Sequence, residues 1–212
     1  MVDRTLQYRN STYGRSAVFA ADKYDTEQRY DFAADSAALV ARLPNGWTVK
    51  QANVDDLGVA GARKELVDAI NGGAALTAFI GHSGPTYWTF DGLFASADAA
   101  ALTNAGKPTV VTQWGCWNTF YVSPFADSLS HSFMLSGDRG AAAVLGASTL
   151  TEAAHETEFG KRLFGIGGMV SGNTIGDAVL RTKRHVAIDH PDWLDVILGW
   201  QLLGDPLLKI AP

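Results

Sequence analysis

One cysteine stands in a chain of 212 residues, which excludes an internal disulfide framework and a cysteine-rich metal site, leaving either a reactive thiol or an inert buried one. No stretch approaches the ~18 consecutive apolar residues of a membrane span, and the start, Met1-Val2-Asp3-Arg4, lacks the apolar core of a signal peptide. Positive charge is sparse and scattered, and the formal net charge is −5. Such a chain has no electrostatic footprint for nucleic acid or an anionic membrane, so neither partner is expected. Charged residues make up only 18% against 47% hydrophobic, the balance of a globular chain that buries its core without covalent staples. No internal repeat, low-complexity tract or linker is visible, so residues 1–212 read as one domain. Two catalytic signatures are also missing. There is no Gly-x-Ser-x-Gly elbow, and Gly165-Ile166-Gly167-Gly168 neither follows a strand nor carries a Walker lysine.

What the chain does have is a pair of apolar runs, each ending in a reactive residue type. Ala75-Leu76-Thr77-Ala78-Phe79-Ile80-Gly81 leads into His82-Ser83-Gly84, and Pro108-Thr109-Val110-Val111-Thr112-Gln113-Trp114-Gly115 leads into Cys116. Each run predicts a buried parallel strand. The run ends lie 34 residues apart, enough for a helical crossover. His82 and Cys116 should therefore emerge at the same carboxyl edge of a sheet, where open α/β folds place their sites. Cys116 is then a nucleophile or, failing a partner, a small core hydrophobe.

Further strands are predicted at Ser16 to Ala21, Trp47 to Ala52, Ala141 to Ala147 and Leu207 to Ile210. Apolar residues at helical spacing predict helices over Phe32 to Leu43, Val59 to Ile70, Ser96 to Asn104, Phe125 to Leu135 and Ile175 to Ala187. Asn71-Gly72-Gly73 suits a left-handed C-cap, and Thr149-Leu150-Thr151-Glu152 resembles a capping box opening a helix toward Phe164. Strands alternating with helices imply an α/β fold, with a mainly parallel sheet flanked by helices on both faces.

Several segments in this order resemble the gingipain-like cysteine peptidases, family C25 of the caspase-like clan. They are Asp68-Ala69-Ile70-Asn71-Gly72-Gly73 leading to Gly81-His82, and Cys116 with Asn118 and Phe120 after it. Gly140-Ala141-Ala142-Ala143-Val144 before Ser148-Thr149, and Leu202-Leu203-Gly204-Asp205-Pro206-Leu207-Leu208, complete the set. The resemblance runs from about Ser16 to Ile210 and covers the family's catalytic subdomain; better-known members carry in addition a second subdomain, a signal peptide and a propeptide. It implies a caspase/haemoglobinase-like sheet, a peptide or protein substrate, and a secreted or cell-surface location. In one respect the chain differs: the family has glycine directly after its histidine, and here the order is His82-Ser83-Gly84.

The resemblance implies an endopeptidase in which Cys116 attacks the scissile carbonyl and His82 protonates the leaving amine. Backbone N–H groups at Cys116 and at Ser83 or Gly84 would hold the oxyanion. Asp22, ending the first strand, either orients His82 as the family's acidic residue does or caps a turn. Asp31 lies near the position of the family's acidic S1 base, which would select Arg or Lys at P1; its other role is the N-cap of the helix starting at Phe32. Trp114 and Trp117 flank Cys116, either walling a substrate pocket or belonging to the core. The acidic stretch from Asp22 to Asp31 offers carboxylates to a structural Ca²⁺ without the regular spacing of a calcium loop; no cofactor or catalytic metal is expected. His131, His155, His185 and His190 show no metal-ligand spacing. Two other functions share this fold: a non-catalytic scaffold or binding domain, and a transpeptidase that passes the acyl group to an amine.

Overall fold

A computed structural model describes residues 2–165 and 167–210. Ile166, within the glycine-rich stretch noted above, and Met1 lie outside the described residues. The chain opens with helix α1 (Val2–Arg9), strand β1 (Ser16–Ala21), helix α2 (Phe32–Val40), strand β2 (Thr48–Asn53), helix α3 (Val54–Gly72) and strand β3 (Leu76–Ile80). Three two-residue strands follow, β4 (Ser83–Gly84), β5 (Tyr87–Trp88) and β6 (Phe94–Ala95), then helix α4 (Ser96–Ala101) and strand β7 (Thr109–Trp114). The rest comprises α5 (Leu129–Leu135), β8 (Ala141–Ala147), α6 (Ala153–Phe164), α7 (Ile175–Asp189), α8 (Leu194–Ile197) and β9 (Trp200–Gly204).

The main sheet has the order β2-β1-β3-β7-β8-β9, parallel throughout except for β9, which runs antiparallel to β8. Every residue of β3, β7 and β8 is buried, as expected of strands covered on both faces. Alternation then sends side chains to two separate cores. On one face Phe19, Leu76, Ala78 and Trp114 pack with Phe32 and Leu39 of α2, Phe159 and Leu163 of α6, and Ile175 of α7. On the other, Val18, Ala20, Phe79 and Val111 pack with Leu66 and Ile70 of α3 and with Leu129 and Phe133 of α5. This is the mainly parallel α/β arrangement expected from the sequence.

The details differ in places. α3 has a break at Gly58 (φ 65°), so the expected helix from Val59 to Ile70 is its second part, closed by Gly73 in the left-handed region (φ 98°). α5 begins only at Leu129, because Ser128 caps it and Phe125 stands in solvent. The capping box at Thr149 is not formed: Glu152 is the N-cap of α6 without a side-chain bond, and the Thr149 carbonyl instead accepts the Trp117 N–H at 3.0 Å. The last strand is Trp200–Gly204 rather than Leu207 to Ile210, where Lys209 makes only an isolated bridge to Thr174. α1 was not anticipated. It docks through polar groups, with buried Arg4 donating to the Phe133 and Arg139 carbonyls and Tyr8 Oη to the Ala75 carbonyl.

Candidate active site

β3 and β7 are adjacent in the sheet, pairing Ile80 with Trp114, so the residues just beyond each strand meet at one rim. Two glycines permit the approach. A Cβ on Gly115 would lie 2.3 Å from the Gly81 carbonyl oxygen and 2.5 Å from Ser83 Oγ; one on Gly81, whose φ is +151°, would lie 2.3 Å from Asp22 Cβ. The Gly81 N–H donates to the Trp114 carbonyl at 2.9 Å, and Ser83 Oγ donates to the Cys116 carbonyl at 2.8 Å. The segments bearing His82 and Cys116 are thereby joined on both sides of the histidine.

The imidazole of His82 lies against Phe32 and Phe90, with ring centroids 5.1 and 5.0 Å away. Its Nε2 is 2.8 Å from Asp25 Oδ2, while Nδ1 has no hydrogen-bond partner among the described residues. The carboxylate accepts an Nε2–H, which fixes the neutral tautomer with its lone pair on Nδ1. Asp25 is itself immobilised by its turn, since Oδ1 accepts the N–H groups of Glu27 and Gln28. Those bonds and the one to His82 hold its carboxyl below the ordinary range, the Gln28 bond contributing most. A cleft of about 260 Å³ opens beside this pair, lined by Asp22 to Glu27, His82, Phe90 and Asp91.

Asp22 plays a different part from the one expected of it. Its buried carboxylate accepts the backbone N–H groups of Lys23 (2.8 Å) and His82 (3.2 Å), not the imidazole. Burial pushes its carboxyl above the usual range, with those two bonds and the His82 charge opposing the shift. The reason is positional: as the residue after β1, Asp22 abuts Gly81 and faces main chain, whereas Asp25 reaches the ring from the turn beyond.

Cys116 is half-buried, and its thiol faces Thr151, 3.6 Å from the carbonyl oxygen and 3.7 Å from Oγ1. Burial raises the thiol above its ordinary value; bonds with Thr151 oppose the shift, and the nearby Glu156 and Glu152 add to it. The Cys116 N–H has no acceptor among the described residues, as an oxyanion donor requires. Ser83 and Gly84 pair with Trp88 and Tyr87 in the three-stranded sheet, immediately after His82. Trp117 follows the cysteine with φ +60°, a conformation a large L residue adopts only when its surroundings impose it, and its ring meets Phe120 edge-on at 5.0 Å.

Two of the remaining expectations are corrected. Trp114 belongs to the core: it is 1% exposed, packs on Trp200 with centroids 4.5 Å apart, and donates from Nε1 to Thr112 Oγ1, because alternation along β7 turns it away from the rim. Asp31 is the N-cap of α2, accepting the Ala34 N–H at 2.8 Å, and it is exposed rather than placed in the cleft beside His82. Among the described residues no cluster of His, Cys, Asp and Glu is arranged to hold a metal ion.

Behind the rim lies a buried polar network of Gln113, Asn118, Thr119 and Ser130. Asn118 Nδ2 lies 2.8 Å from the Gly115 carbonyl and 3.1 Å from Ser83 Oγ. Gln113 accepts from Trp88 Nε1 and donates to Ser130 Oγ, both at 2.8 Å. Ser130 in turn donates to the Asn118 carbonyl. The sequence signals were polarity inside an apolar run, at Gln113, and Asn118 among the residues that carry the family resemblance. Such a network fixes the loop after β7 because each buried group in it has a partner.

Neighbouring parallel strands of an α/β sheet thus bring an imidazole and a thiol to the same rim. The model of peptidase family C25 matches residues 1–211, and the chain belongs to that family, one of cysteine peptidases. Among solved structures, the complex of Porphyromonas gingivalis RgpB pro- and mature domains matches at 20% identity and TM-score 0.83, covering 99% of this chain and 52% of that one. The Arg-specific cysteine proteinase gingipain R (RgpB) matches at 19% and 0.82, covering 99% and 51%. A further structure, described as a protease, matches at 16% and 0.71, covering 99% and 52%. The fold is therefore that of the gingipain structures, a mainly parallel α/β sheet, and the chain spans about half the length of these solved chains. No curated protein matches it. Among the described residues no helix is long and apolar enough to cross a membrane.

Proposed function

We propose that this chain is a cysteine endopeptidase domain in which Cys116 is the nucleophile, His82 the proton carrier and Asp25 the residue that orients His82. The observation that carries the reading is the junction of the two strand ends, with Ser83 Oγ on the Cys116 carbonyl and the Cys116 N–H left without an acceptor among the described residues. In the reaction the sulfur attacks the scissile carbonyl carbon, and the oxyanion is received by the Cys116 N–H and by an N–H at Ser83 or Gly84. With Nε2 committed to Asp25, Nδ1 is the ring atom that carries a proton to the leaving amine; water then cleaves the thioester. Asp22 supports the site indirectly, by holding the His82 backbone.

A preference for Arg or Lys near the cleaved bond is supported by the acidic cleft beside His82, where Asp25, Glu27 and Asp91 face one lysine, Lys23. The resemblance to gingipains supports a secreted or cell-surface protein. One observation favours the second reading, a non-catalytic domain: the thiol is turned toward Thr151, and burial disfavours its ionised form. Hydrolysis of a peptide library separates the two. The peptidase reading expects turnover that Cys116→Ala abolishes in a protein of unchanged circular dichroism. Equal turnover in that variant, or none in the parent under reducing conditions, would overturn it.

A further inference from the structure

The Thr151 hydroxyl lies against two groups at once, Cys116 Sγ at 3.7 Å and, in a short contact, Glu156 Oε1. It has one proton and cannot donate to both. Whichever partner does not receive that proton must supply one or go without. Glu156 is buried, 5% exposed, on the first turn of α6, and among the described residues this is its only side-chain hydrogen bond. The groups facing it are the Tyr30 phenol, the Cys116 thiol and three carboxyls. Asp195 comes from α8, Asp35 from α2 and Glu152 from the segment before α6. His155, the residue before Glu156 in α6, is bonded to Asp195.

We propose that Glu156 is a positioning residue for Cys116: the bond its carboxyl shares with Thr151 decides whether the Thr151 hydroxyl donates its proton to the sulfur. The inference rests on Cys116 being the nucleophile. When Glu156 is protonated, its O–H donates to Thr151 Oγ1, and the Thr151 proton points at the sulfur, where it stabilises the thiolate. When Glu156 is ionised, its carboxylate accepts the hydrogen bond from the Thr151 hydroxyl; the sulfur keeps its own proton, directed at the Thr151 carbonyl or Oγ1. No bond between heavy atoms changes; one proton leaves Glu156 and one hydroxyl reorients. Burial, with the surrounding carboxylates adding to it, raises the Glu156 carboxyl to about 8, so the thiolate-supporting arrangement is the one present at neutral pH.

The test is the rate of Cys116 alkylation by iodoacetamide against pH, which needs no peptidase activity. Glu156→Gln presents a permanent N–H to Thr151 Oγ1 and should keep the thiolate-supporting arrangement at every pH. Above the Glu156 transition its alkylation profile should lie about one pH unit below the parent's. Because a less basic thiolate is also less nucleophilic, this appears as a roughly threefold faster reaction on the rising limb. In the T151V background, which lacks the hydroxyl, the same Glu156→Gln change should leave the profile unmoved, and Thr151→Ser should restore the shift. An equal shift with and without the hydroxyl would mean a through-space charge effect and overturn the relay; so would no shift in either. If Cys116→Ala still hydrolyses peptide, the peptidase reading fails while the alkylation profiles still report on the relay. If Cys116→Ala is inactive and the profiles coincide, the relay alone fails.

Discussion

Glu156 also makes a prediction about folding that is independent of catalysis. In the unfolded chain its carboxyl titrates near 4.5, and in the folded protein burial raises it to about 8. Between those values the native state holds a proton that the unfolded state has released, so the contribution of this group to stability falls as pH rises. It is fully present below about 4.5 and lost once pH passes about 8. At 1.36 kcal/mol per unit, the span corresponds to a loss on the order of 5 kcal/mol, a large part of the roughly 5–15 kcal/mol that holds a domain folded. Glu156→Gln keeps the shape and removes the titration. Urea unfolding of both proteins at unit pH steps from about 4 to about 9 isolates the effect, because other titrating groups, Asp22 among them, cancel in the difference. The variant's advantage should be flat at the acid end and then grow by up to about 1.4 kcal/mol per pH unit. A difference that is constant across the range would refute the argument, since it would mean that Glu156 ionises in the folded protein as it does in the unfolded chain.

Two other outcomes follow from the site. Asn118→Ala removes the amide that serves the Gly115 carbonyl and Ser83 Oγ, both in the interior. It should cost about 2–4 kcal/mol in urea unfolding and lower peptide turnover further than stability alone explains; a loss below about 0.5 kcal/mol would deny the network its role. Asp25→Asn keeps an acceptor for His82 Nε2 but removes the charge that stabilises the imidazolium, so kcat should fall about tenfold to a hundredfold with KM little changed. Its sign with pH is also defined. The Asp25 carboxyl is held below its ordinary range, so the pairing is complete above that range and lost only as pH falls through the depressed value. Unaltered kcat in Asp25→Asn would show that orientation of the ring rests elsewhere.

The parts of the fold that were legible in the sequence are those where one physical rule dominates. Ser16–Ala21 and Ala141–Ala147 are uninterrupted apolar runs between polar or glycine-rich segments, and both form strands over those same residues. β9 was not legible, because Trp200-Gln201-Leu202-Leu203-Gly204 is no more strand-like than Leu207 to Ile210, where Leu208 and Ile210 are equally buried on irregular chain. α1 hides its docking in polar atoms of Arg4 and Tyr8, and two-residue strands such as β4 are too short to show a period. At the site, strand ends pointed to His82 and Cys116. Strand logic also chose Asp22 as the orienting acid, whereas the ring's partner, Asp25, is placed by a turn whose geometry depends on Arg29 adopting φ +56°. Trp114 sits one pleat from the rim, and only the register decides which face it takes.

The position of β3 and β7 inside the sheet divides the site by its resistance to opening. Both strands are hydrogen-bonded on each edge, β3 by β1 and β7 and β7 by β3 and β8, so their amides should exchange with solvent deuterium only in global unfolding. The segment carrying Asp25 is tied by the Asp25–Tyr30 bridge, the bond to His82, the Tyr24 N–H on Asp55 and the exposed Lys23–Asp91 pair, with exposed Tyr24 and Arg29 beside Asp25. Its amides should exchange at a lower free energy than those of β3 and β7. The scaffold that holds the sulfur and the imidazole is therefore among the last parts of the molecule to come apart. Asp25, by contrast, is held by a short turn outside the sheet, so the His82–Asp25 contact should be exposed to local opening before the strand ends are.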